Sequence, residues 1–566
     1  MYADVVVLTY QAPDIGVFTY QIPHDLENII KIGHLVEVPF GNRSPQGIVI
    51  GTKVTKPEGI QVRPIIRQSF PEPLLLAYQI ELLKWMSSYY QASIVNCLKA
   101  ILPELPRKLL IVNSQSKSTL HSPFTIHQTI VLVPSINRIA EILARFPQAK
   151  NYVLFHNQLK TSEIFSAWLK IISSEVDYIF GARRAIFAPC PNPSKIIIFE
   201  EHDGAYKDER SPYFDTLTIA EKIQDLTDAN IEIIDSSPKL TTYFTHKNEL
   251  QVPKLISNTL KINIVSMVGE RNAGNKSPIS NLLSSLLVKT YKQGGKSLLF
   301  LNKKIESGQF YCRNCQHQAY VKTKPANCPN CNSSDLFFYS LNIASLSNLV
   351  REIIPSVPIK LIAEGISPAL TIAPVQIATS TIFYAQTVTR YDLVGHIAVD
   401  NVVNIPDFNS AEKTYAQIIN LKKITAKNGV LILQTYNPQS LVIKSAVYED
   451  YKSFSNEQFN IRKALFYPPY SLLVKLTIRG KNQDKIQRKA ESMYEELAQY
   501  KDKNTLILGP YQPFFGYSTP RYNIILKKKM DSYTFKSREK AVNDLSDLLK
   551  LVDSEWQITV DPESLN

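Results

Sequence analysis

The stretch Ile196-Ile-Ile-Phe-Glu-Glu-His-Asp203 passes from β-branched residues into an acidic cluster. Such a run predicts a buried parallel strand, and the acids that follow it then lie at the carboxyl end of a sheet, where nucleotide phosphates and Mg²⁺ bind. In phosphate-hydrolysing motors the first residue after the strand is an Asp that holds the metal, and the next is a Glu that orients water. Here the Asp position is Phe199, whose phenyl ring offers no oxygen ligand. The sequence therefore predicts a degenerate ATPase box, Phe199, Glu200, Glu201 and His202, without its metal ligand.

The phosphate-binding loop of such motors is also missing from the sequence. That loop needs the pattern G-x-x-x-x-G-K-[ST] between a strand and a helix, so that backbone N–H groups surround the phosphates. The nearest string is Gly294-Gly-Lys-Ser297, which has Thr290 at the first glycine position and precedes a predicted strand at 297–301 instead of following one. We interpret it as a Gly-Gly turn. We expect no bound ATP or Mg²⁺ and no catalytic residue.

Composition restricts the class of protein. The chain has 566 residues, of which 44% are hydrophobic, and this is enough for about three or four domains with packed cores. No apolar run approaches the ~20 residues of a membrane span, and the start, Met1-Tyr-Ala-Asp-Val-Val-Val-Leu8, lacks the basic region of a signal peptide. We expect a cytoplasmic monomer with no membrane partner. The net charge of +13 favours a polyanionic partner, although solvated lysines alone give the same balance.

Four of the six cysteines form two knuckles, Cys312-x-x-Cys315 and Cys328-x-x-Cys331. Four thiolates at this spacing suit the tetrahedral geometry of a structural Zn²⁺ ion, so the sequence predicts one zinc. Two disulfides or a redox pair are the alternatives, and both are uncommon in a cytosolic chain. Cys97 and Cys190 are isolated and are expected to be small buried hydrophobes.

Strand and helix patterns divide the chain into five segments. A β-rich module is predicted at 1–105, a polar linker at 106–128, a parallel α/β lobe at 129–245, a second α/β lobe at 246–455 with the zinc insertion at 310–336, and a mixed module at 456–566.

The N-terminal module contains Phe18-Thr-Tyr20, Val36-Glu-Val-Pro-Phe-Gly41 and Gly47-Ile-Val49. In these segments it resembles the 3′-DNA-binding domain of the PriA family of bacterial replication restart proteins. The resemblance implies that Phe18, Tyr20, Gly41 and Arg63 surround the terminal nucleotide of a leading strand. Many relatives carry an Asp where this chain has Thr19, which is a departure at the 3′-hydroxyl contact. Strand alternation equally allows Phe18 and Tyr20 to be core residues.

The resemblance continues along the chain. It is carried by Gly181-Ala-Arg-Arg-Ala-Ile-Phe187, by Glu200 to Lys207, by Phe300-Leu-Asn-Lys-Lys304 with the knuckles, by Pro406-Asp-Phe408, Gln434-Thr-Tyr-Asn-Pro438, Arg462-Lys463 and Pro468-Pro469, and by Leu508-Gly-Pro510, Arg521-Tyr522 and Val560-Asp-Pro562. It implies a multidomain α/β protein: an N-terminal β-rich 3′-DNA-binding domain, two RecA-like helicase lobes with a zinc-ribbon insertion, and an α+β C-terminal domain. In that last domain, Arg521, Lys527, Lys528 and Lys529 are expected to bind the DNA backbone.

The departures from the family are concentrated in the segments that serve the ATP-dependent helicase activity. The interval from Pro103 to Thr129 is too short for the winged-helix domain of the family. The segment that should carry arginines reads Asn420-Leu-Lys-Lys-Ile-Thr-Ala426, and a Gly-Thr-Gln-Met box has become Ala378-Thr-Ser-Thr381. The insertion keeps four cysteines where the family usually has eight, so one zinc is expected. The helicase lobes are therefore predicted to be degenerate.

The combined expectation is a replication restart protein that recognises forked DNA and helps to assemble the primosome, without ATPase or helicase activity. Its expected partners are the replicative helicase loader and other primosome proteins, with the single-stranded DNA-binding protein as a further candidate. One alternative is an active ATP-dependent 3′→5′ helicase with a non-standard nucleotide site, and another is a zinc-ribbon module that binds RNA or protein. Without metal, Glu200, Glu201 and His202 are expected to link the two lobes through hydrogen bonds or salt bridges.

Overall fold

The computed structural model describes most of the chain. The described residues are 1–8, 16–56, 61–106, 127–247, 250, 260–301, 308–321, 325–339, 341–364, 373–385, 389–500, 502–514, 517 and 519–566. Most of the predicted linker, at 107–126, lies outside them. Within this part of the chain, no helix is both long enough and apolar enough to cross a membrane.

The N-terminal sheet is antiparallel, with the strand order β2-β1-β4-β3-β5. Alternate residues of β1 enter two different cores: Ala3, Val5 and Val7 pack with Tyr20, whereas Val6 packs towards the helices. The elements of this region are β1 (Tyr2–Val7), β2 (Val17–Gln21), β3 (Leu35–Glu37), β4 (Gln46–Lys53), β5 (Arg67–Gln68), α1 (Ala77–Tyr89) and α2 (Ile94–Ile101).

The first α/β region contains a parallel sheet with the order β10-β9-β6-β8-β7, which confirms the predicted parallel arrangement. The β-branched run predicted to be a buried strand is β9, and its isoleucines at 196, 197 and 198 are buried. The elements are β6 (Gln128–Leu132), β7 (Tyr152–Phe155), β8 (Tyr178–Gly181), β9 (Pro193–Phe199), β10 (Asn230–Ile234), α3 (Ile139–Leu143), α4 (Thr161–Ile172), α5 (Thr216–Thr227) and α6 (Leu240–Thr245).

The second α/β region also contains a parallel sheet, with the order β11-β19-β18-β12-β17-β16. The Gly-Gly string forms the predicted turn: Gly294 has a φ of +71° between a helix and β12. The elements are β11 (Lys261–Ser266), α7 (Met267–Asn272), α8 (Asn281–Lys292), β12 (Ser297–Phe300), α9 (Ile343–Ile353), β16 (Ile359–Ile362), β17 (Val375–Ala378), β18 (Tyr391–His396), α10 (Asp400–Val403), α11 (Ser410–Ile424), β19 (Thr425–Thr435), α12 (Leu441–Tyr448) and α13 (Tyr451–Ala464).

The cysteine knuckles lie on a small antiparallel sheet between β12 and α9 in the chain. Its strand order is β14-β13-β15. The strands are β13 (Gly308–Cys312), β14 (Gln318–Val321) and β15 (Leu336–Tyr339).

The C-terminal sheet is antiparallel, with the order β21-β22-β20-β23. Its core is continuous with that of the helices α1 and α2 and of the first parallel sheet. This shared core fixes three parts of the molecule together. The elements are β20 (Ser471–Arg479), α14 (Gln483–Ala498), β21 (Thr505–Tyr511), β22 (Arg521–Lys529), α15 (Phe535–Asp544), α16 (Ser546–Leu549) and β23 (Gln557–Val560).

Candidate functional sites

The four residues predicted at a DNA 3′ end lie together at one end of the N-terminal sheet. Phe18 on β2 packs edge-on against Phe40, with the ring centroids 5.1 Å apart. The next residue in the sequence after Phe40 is Gly41, which has a φ of +58° and open space around the position of a Cβ atom. Arg63 is exposed, and its backbone carbonyl accepts a hydrogen bond from Gln21 at 2.9 Å. Gly41 and Arg63 are exposed, whereas Phe18 is half-buried against the core of the N-terminal sheet and offers part of its ring to a ligand.

Tyr20 does not form part of an open stacking surface, which corrects its predicted role. Only 4% of Tyr20 is exposed, because its ring packs among the valines of the N-terminal sheet. Its hydroxyl donates to the Pro39 carbonyl at 3.3 Å. Burial raises the pKa of Tyr20, and the nearby charge of Arg63 partly opposes this shift. Tyr20 therefore packs in the core beneath the candidate 3′-end pocket and does not present its ring to a ligand.

Thr19 points to the opposite face of β2 from Phe18 and Tyr20. Its hydroxyl donates to Asp4 at 2.7 Å, and Asp4 forms an ion pair with Lys53 at 2.6 Å. The family's acidic residue is thus replaced by a hydroxyl that is already bonded to a carboxylate on the neighbouring strand.

Phe199 ends β9 with its ring in the core of the first parallel sheet. It is 4% exposed and packs with Val131 and Phe180. The Phe146 ring lies 6.3 Å away between centroids. The position that would hold Mg²⁺ is therefore occupied by an apolar side chain that contributes to folding.

Glu200, the next residue of the box, lies between two cations from different regions of the chain. One carboxylate oxygen is 3.2 Å from Arg138 Nη1, just after β6, and the other is 3.2 Å from Lys423 Nζ on α11. Burial alone would lower the pKa of Arg138, but the carboxylates of Glu200 and Glu141 outweigh it and raise that pKa. Glu200 thus joins the first α/β region to the second.

His202 and Asp203 make further contacts between the same two regions. Asp203 accepts hydrogen bonds from the Tyr384 hydroxyl at 2.7 and 2.9 Å, and the Asn420 amide lies 3.3 Å from His202 Nε2. On its other side, His202 Nδ1 lies 2.7 Å from Asp235. Burial alone would lower the pKa of His202, but the Asp235 carboxylate outweighs it and raises that pKa.

The sequence carries no signal for the partners of the box. Asn420 and Lys423 fall in the segment recognised only as lacking the family's arginines, and Tyr384 follows the altered Ala378-Thr-Ser-Thr381 segment. Glu200 and His202 link the two lobes as expected, whereas the hydrogen bond of Glu201 is to Thr242 within the first α/β region.

Glu201 is the buried acid of the box. It is 1% exposed, and one of its oxygens accepts a hydrogen bond from Thr242 at 2.6 Å. The other oxygen has no hydrogen-bond partner within the described part of the chain. Burial raises the pKa of Glu201 to about 8, although Lys239 opposes the shift. The side chain is therefore mainly protonated at neutral pH.

We expect Glu201→Gln to reduce the pH dependence of stability. The folded chain keeps a proton on Glu201 at pH values where the unfolded chain has lost it, so the free energy of unfolding falls as the pH rises from about 5 to about 8. The neutral amide removes this effect, which amounts to roughly 3 kcal/mol across that window. Urea unfolding at several pH values measures it.

The control for this measurement is Glu495→Gln, on the exposed side of α14. The His202–Asp235 pair also stabilises the fold less as the pH rises through the raised pKa of His202. The unmodified chain and the Glu201→Gln variant both keep this pair, so its effect cancels when their pH slopes are compared. Equal pH slopes for Glu201→Gln and the unmodified chain would contradict the assignment.

Two of the four cations predicted to hold DNA phosphates are unavailable, which corrects that part of the prediction. Lys527 is 4% exposed and donates to the Leu465 carbonyl at 2.9 Å, and its ammonium lies 3.6 Å from the centroid of the Tyr467 ring. Burial lowers the pKa of Lys527 to about 8. Lys528 is also buried and pairs with Asp502 at 2.6 Å. Both lie on β22, an interior strand of its sheet, so their charges are satisfied within the fold.

The other two predicted cations are partly accessible. The guanidinium of Arg521 lies 3.4 Å from the centroid of the exposed Tyr517 ring, and Lys529 Nζ lies 4.3 Å from that of Phe466. Each is a cation stacked on an aromatic ring and remains a candidate phosphate contact.

The four cysteines form a candidate metal centre. Their sulfur atoms all lie within 4.8 Å of one another. The pairs Cys312–Cys331 and Cys315–Cys328 are 3.5 and 3.6 Å apart, much too long for a disulfide bond and close to the S–S spacing around one tetrahedral ion. The donor set therefore fits a metal ion.

The two knuckles share one backbone geometry. In each, the first cysteine carbonyl accepts a hydrogen bond from the residue four positions later, at 2.9 Å from Gln316 and 2.8 Å from Asn332. Both of these residues have a positive φ, of 60° and 58°. This repeated turn directs two thiols from each knuckle towards one centre.

Comparison with known proteins identifies relatives of the chain. The profile of the PriA 3′DNA-binding domain matches residues 6–103. The chain is 28% identical over 432 residues to the replication restart protein PriA of Bacillus subtilis, which covers 68% of this chain and 53% of that protein. It is 26% identical over 477 residues to PriA of Borreliella burgdorferi, covering 75% and 71% of the two chains. With PriA of Rickettsia felis it shares 23% identity over 609 aligned positions, covering 90% and 93%.

The chain thus spans about half the length of the Bacillus subtilis relative. Among solved structures, RecG bound to a three-way DNA junction matches with a TM-score of 0.32 and 12% identity, over 60% of this chain and 40% of that one. This structural likeness is too low to support an argument. The sequence matches do support one: the chain is similar to PriA replication restart proteins over most of its length, and residues 6–103 match their 3′-DNA-binding domain.

Proposed function

We propose that this chain recognises forked DNA with a leading-strand 3′ end and helps to reassemble the primosome there, without hydrolysing ATP. Replication restart is the function named for its relatives. The observation that carries the absence of ATP hydrolysis is the state of the acidic box. Phe199 is buried in the core, and the carboxylates of Glu200 and Asp203 are bonded to side chains of the second α/β region.

The contacts of the box supply an alternative to nucleotide for holding the lobes together. A motor lobe pair closes on ATP and Mg²⁺ and opens after hydrolysis. Here Lys423, Asn420 and Tyr384 reach the box directly, through ionic and hydrogen bonds made entirely within the chain. In this proposal the protein therefore keeps its two lobes in one arrangement and acts as a scaffold that binds forked DNA.

The pocket near Phe18 supports recognition of a terminal nucleotide. The exposed part of the Phe18 ring supplies a stacking surface for a base, and Gly41 lets the nucleic acid approach the backbone closely because no Cβ intervenes. Arg63 supplies a positive charge at the same place for a phosphate. The proposed partners are forked DNA, the replicative helicase loader and other primosome proteins, and the single-stranded DNA-binding protein. The proposed cofactor is one structural Zn²⁺ ion on the four cysteines.

Fluorescence anisotropy with a model fork tests the proposal. We expect tight binding to a fork whose leading-strand 3′ hydroxyl lies at the junction, and about tenfold weaker binding when that end carries a phosphate, since one stacked terminal base contributes ~1–3 kcal/mol. Addition of ATP and Mg²⁺ should leave both affinities unchanged. Gly41→Val should weaken binding to the unblocked fork to a similar extent.

The matched control is Gly294→Val, because Gly294 also has a positive φ and open space around it, but lies in the second α/β region. It carries the same backbone strain without touching the pocket. The proposal fails if the chain binds blocked and unblocked forks equally. Release from the fork by ATP would instead support an active nucleotide site.

A further inference from the structure

An exposed apolar patch lies at the carboxyl edge of the second parallel sheet. Val268, Leu282 and Tyr436 are 46%, 39% and 46% exposed, and the Arg271 guanidinium lies 5.1 Å from the Tyr436 ring centroid. We call these four residues the Tyr436 platform. Large apolar side chains that are exposed together mark interaction sites more often than those scattered singly.

The topology of the sheet brings the platform residues together. Ser266, the last residue of β11, pairs in register with Thr435, the last residue of β19. Helix α7, with Val268 and Arg271, follows β11 directly, and Tyr436 follows β19. In open parallel sheets, ligands bind at this carboxyl edge.

Buried polar contacts hold the platform rigid. The Gln434 side chain accepts a hydrogen bond from the Ser280 N–H and donates to the Pro278 carbonyl, both at 2.7 Å, which fixes the start of α8 and so positions Leu282. Asp400 accepts from the Tyr436 N–H at 2.9 Å. Tyr436 is thus preorganised, and binding to it would cost little ordering entropy.

Two cations and two acids lie around the platform. Arg271 and Lys276 are exposed. The Glu270 carboxylate accepts from the Asn275 amide at 2.6 Å and from the Asn281 N–H at 2.9 Å, and Asp400 accepts from the Tyr436 N–H. A ligand at this surface therefore meets the part-exposed Tyr436 ring with the Arg271 guanidinium beside it.

We propose that the Tyr436 platform binds single-stranded DNA by stacking unpaired bases on Tyr436, with Arg271 contacting a phosphate. Base faces are available for stacking only in unpaired strands, and an aromatic ring beside cations is the usual arrangement for single-strand binding without sequence preference. The choice of DNA rests on the proposed function. Through the platform, the second α/β region would hold the unpaired strand of a fork without needing a bound nucleotide.

A circular oligothymidylate tests this proposal independently of the 3′-end pocket, because the probe has no end. Using the full chain and a labelled circle of about 20 nucleotides, we expect Tyr436→Ala to weaken binding about fivefold or more. Tyr436→Phe, which keeps the stacking face, should remain within about twofold of the unmodified chain. Arg271→Gln should weaken binding and reduce its salt dependence. Tyr448→Ala is the control, since Tyr448 is 75% exposed on α12, outside the platform.

Equal affinity of Tyr436→Ala and the unmodified chain for the circle would overturn the proposal, as would equal losses in the Phe and Ala variants. A surface used for a protein partner gives the first of these results. The two proposals fail separately. If the chain still distinguishes blocked from unblocked forks but Tyr436→Ala does not affect binding to the circle, only the platform proposal fails. If Tyr436→Ala weakens binding to the circle but the chain does not distinguish the two forks, only the proposed 3′-end recognition fails.

Discussion

Removal of zinc is expected to unfold the small sheet β13–β15 and to leave the two parallel sheets intact. Among the side chains of this sheet that the structure describes, the large apolar ones that are buried are Phe310 and Leu336, besides the cysteines. Burying two such side chains contributes ~3–6 kcal/mol, whereas zinc bound to four thiolates contributes ~10–16 kcal/mol in small domains. We therefore expect the metal to supply most of the stabilisation of this segment.

Hydrogen exchange followed by mass spectrometry measures this effect. Treatment of the zinc-loaded protein with a chelator should abolish amide protection at 308–321 and 325–339, with little change in β6–β10 or β16–β19. Cys315→Ser should reproduce the loss without chelator. The control is Ser334→Ala, an exposed position in the same segment. Retained protection after the zinc has been removed would show that the segment is held by packing alone.

Much of the secondary structure could be predicted from the sequence, because local pattern and turn chemistry determine it. An apolar run bounded by polar residues predicts a strand at 152–155, where β7 lies, and an amphipathic pattern predicts a helix at 162–172, where α4 spans Thr161–Ile172. The sequence at 82–90 also predicts a helix, but the observed helix α1 starts earlier, at Ala77. Its first turn is fixed by Gln79, whose buried amide donates to the Phe187 carbonyl at 2.9 Å. That partner is distant in sequence, so no local pattern reveals it.

The same limit applies to the candidate sites. The four cysteines could be placed together because their spacing is itself the signal. The run Lys527–Lys529 was predicted to be a phosphate-binding surface, but two of its three lysines are buried by contacts with distant residues. The loss of the metal ligand at Phe199 is visible in the sequence. The contacts of Glu200 with Lys423 and of Asp203 with Tyr384 depend on how the two regions pack, which only the structure shows.

Arg538→Met is expected to lower the free energy of unfolding by about 3–5 kcal/mol, because it removes one partner from a buried ion pair. Arg538 on α15 is 5% exposed. Its guanidinium donates to the Thr218 hydroxyl at 2.9 Å and pairs with Glu221, both on α5 of the first α/β region. It also lies 3.7 Å from Asp561. Methionine fills a similar volume but leaves Glu221 without its cation, in surroundings where burial already raises the pKa of that carboxyl.

Urea unfolding of a double-mutant cycle separates the ion pair from packing. Glu221→Gln should restore part of the stability lost in Arg538→Met, because the uncompensated carboxylate is then absent. Arg488→Met, at an exposed position on α14, should change stability by less than about 0.5 kcal/mol. Losses that simply add in the double variant would show that Arg538 and Glu221 do not interact in the folded chain.

The effect should extend to fork binding, because the cluster around Arg538 joins three parts of the molecule. Asp561 accepts hydrogen bonds from Tyr89 on α1 at 3.1 Å and from Tyr533 at 3.0 Å, so the same carboxylate connects the C-terminal sheet to the helices beside the N-terminal sheet. Loosening this junction changes the distance between the 3′-end pocket and any DNA contact on the C-terminal sheet, but leaves each contact intact. We therefore expect Arg538→Met to weaken binding to a complete fork more than binding to a single strand with a 3′ end. Equal losses on the two DNAs would mean that the junction stabilises the fold without setting the geometry of fork recognition.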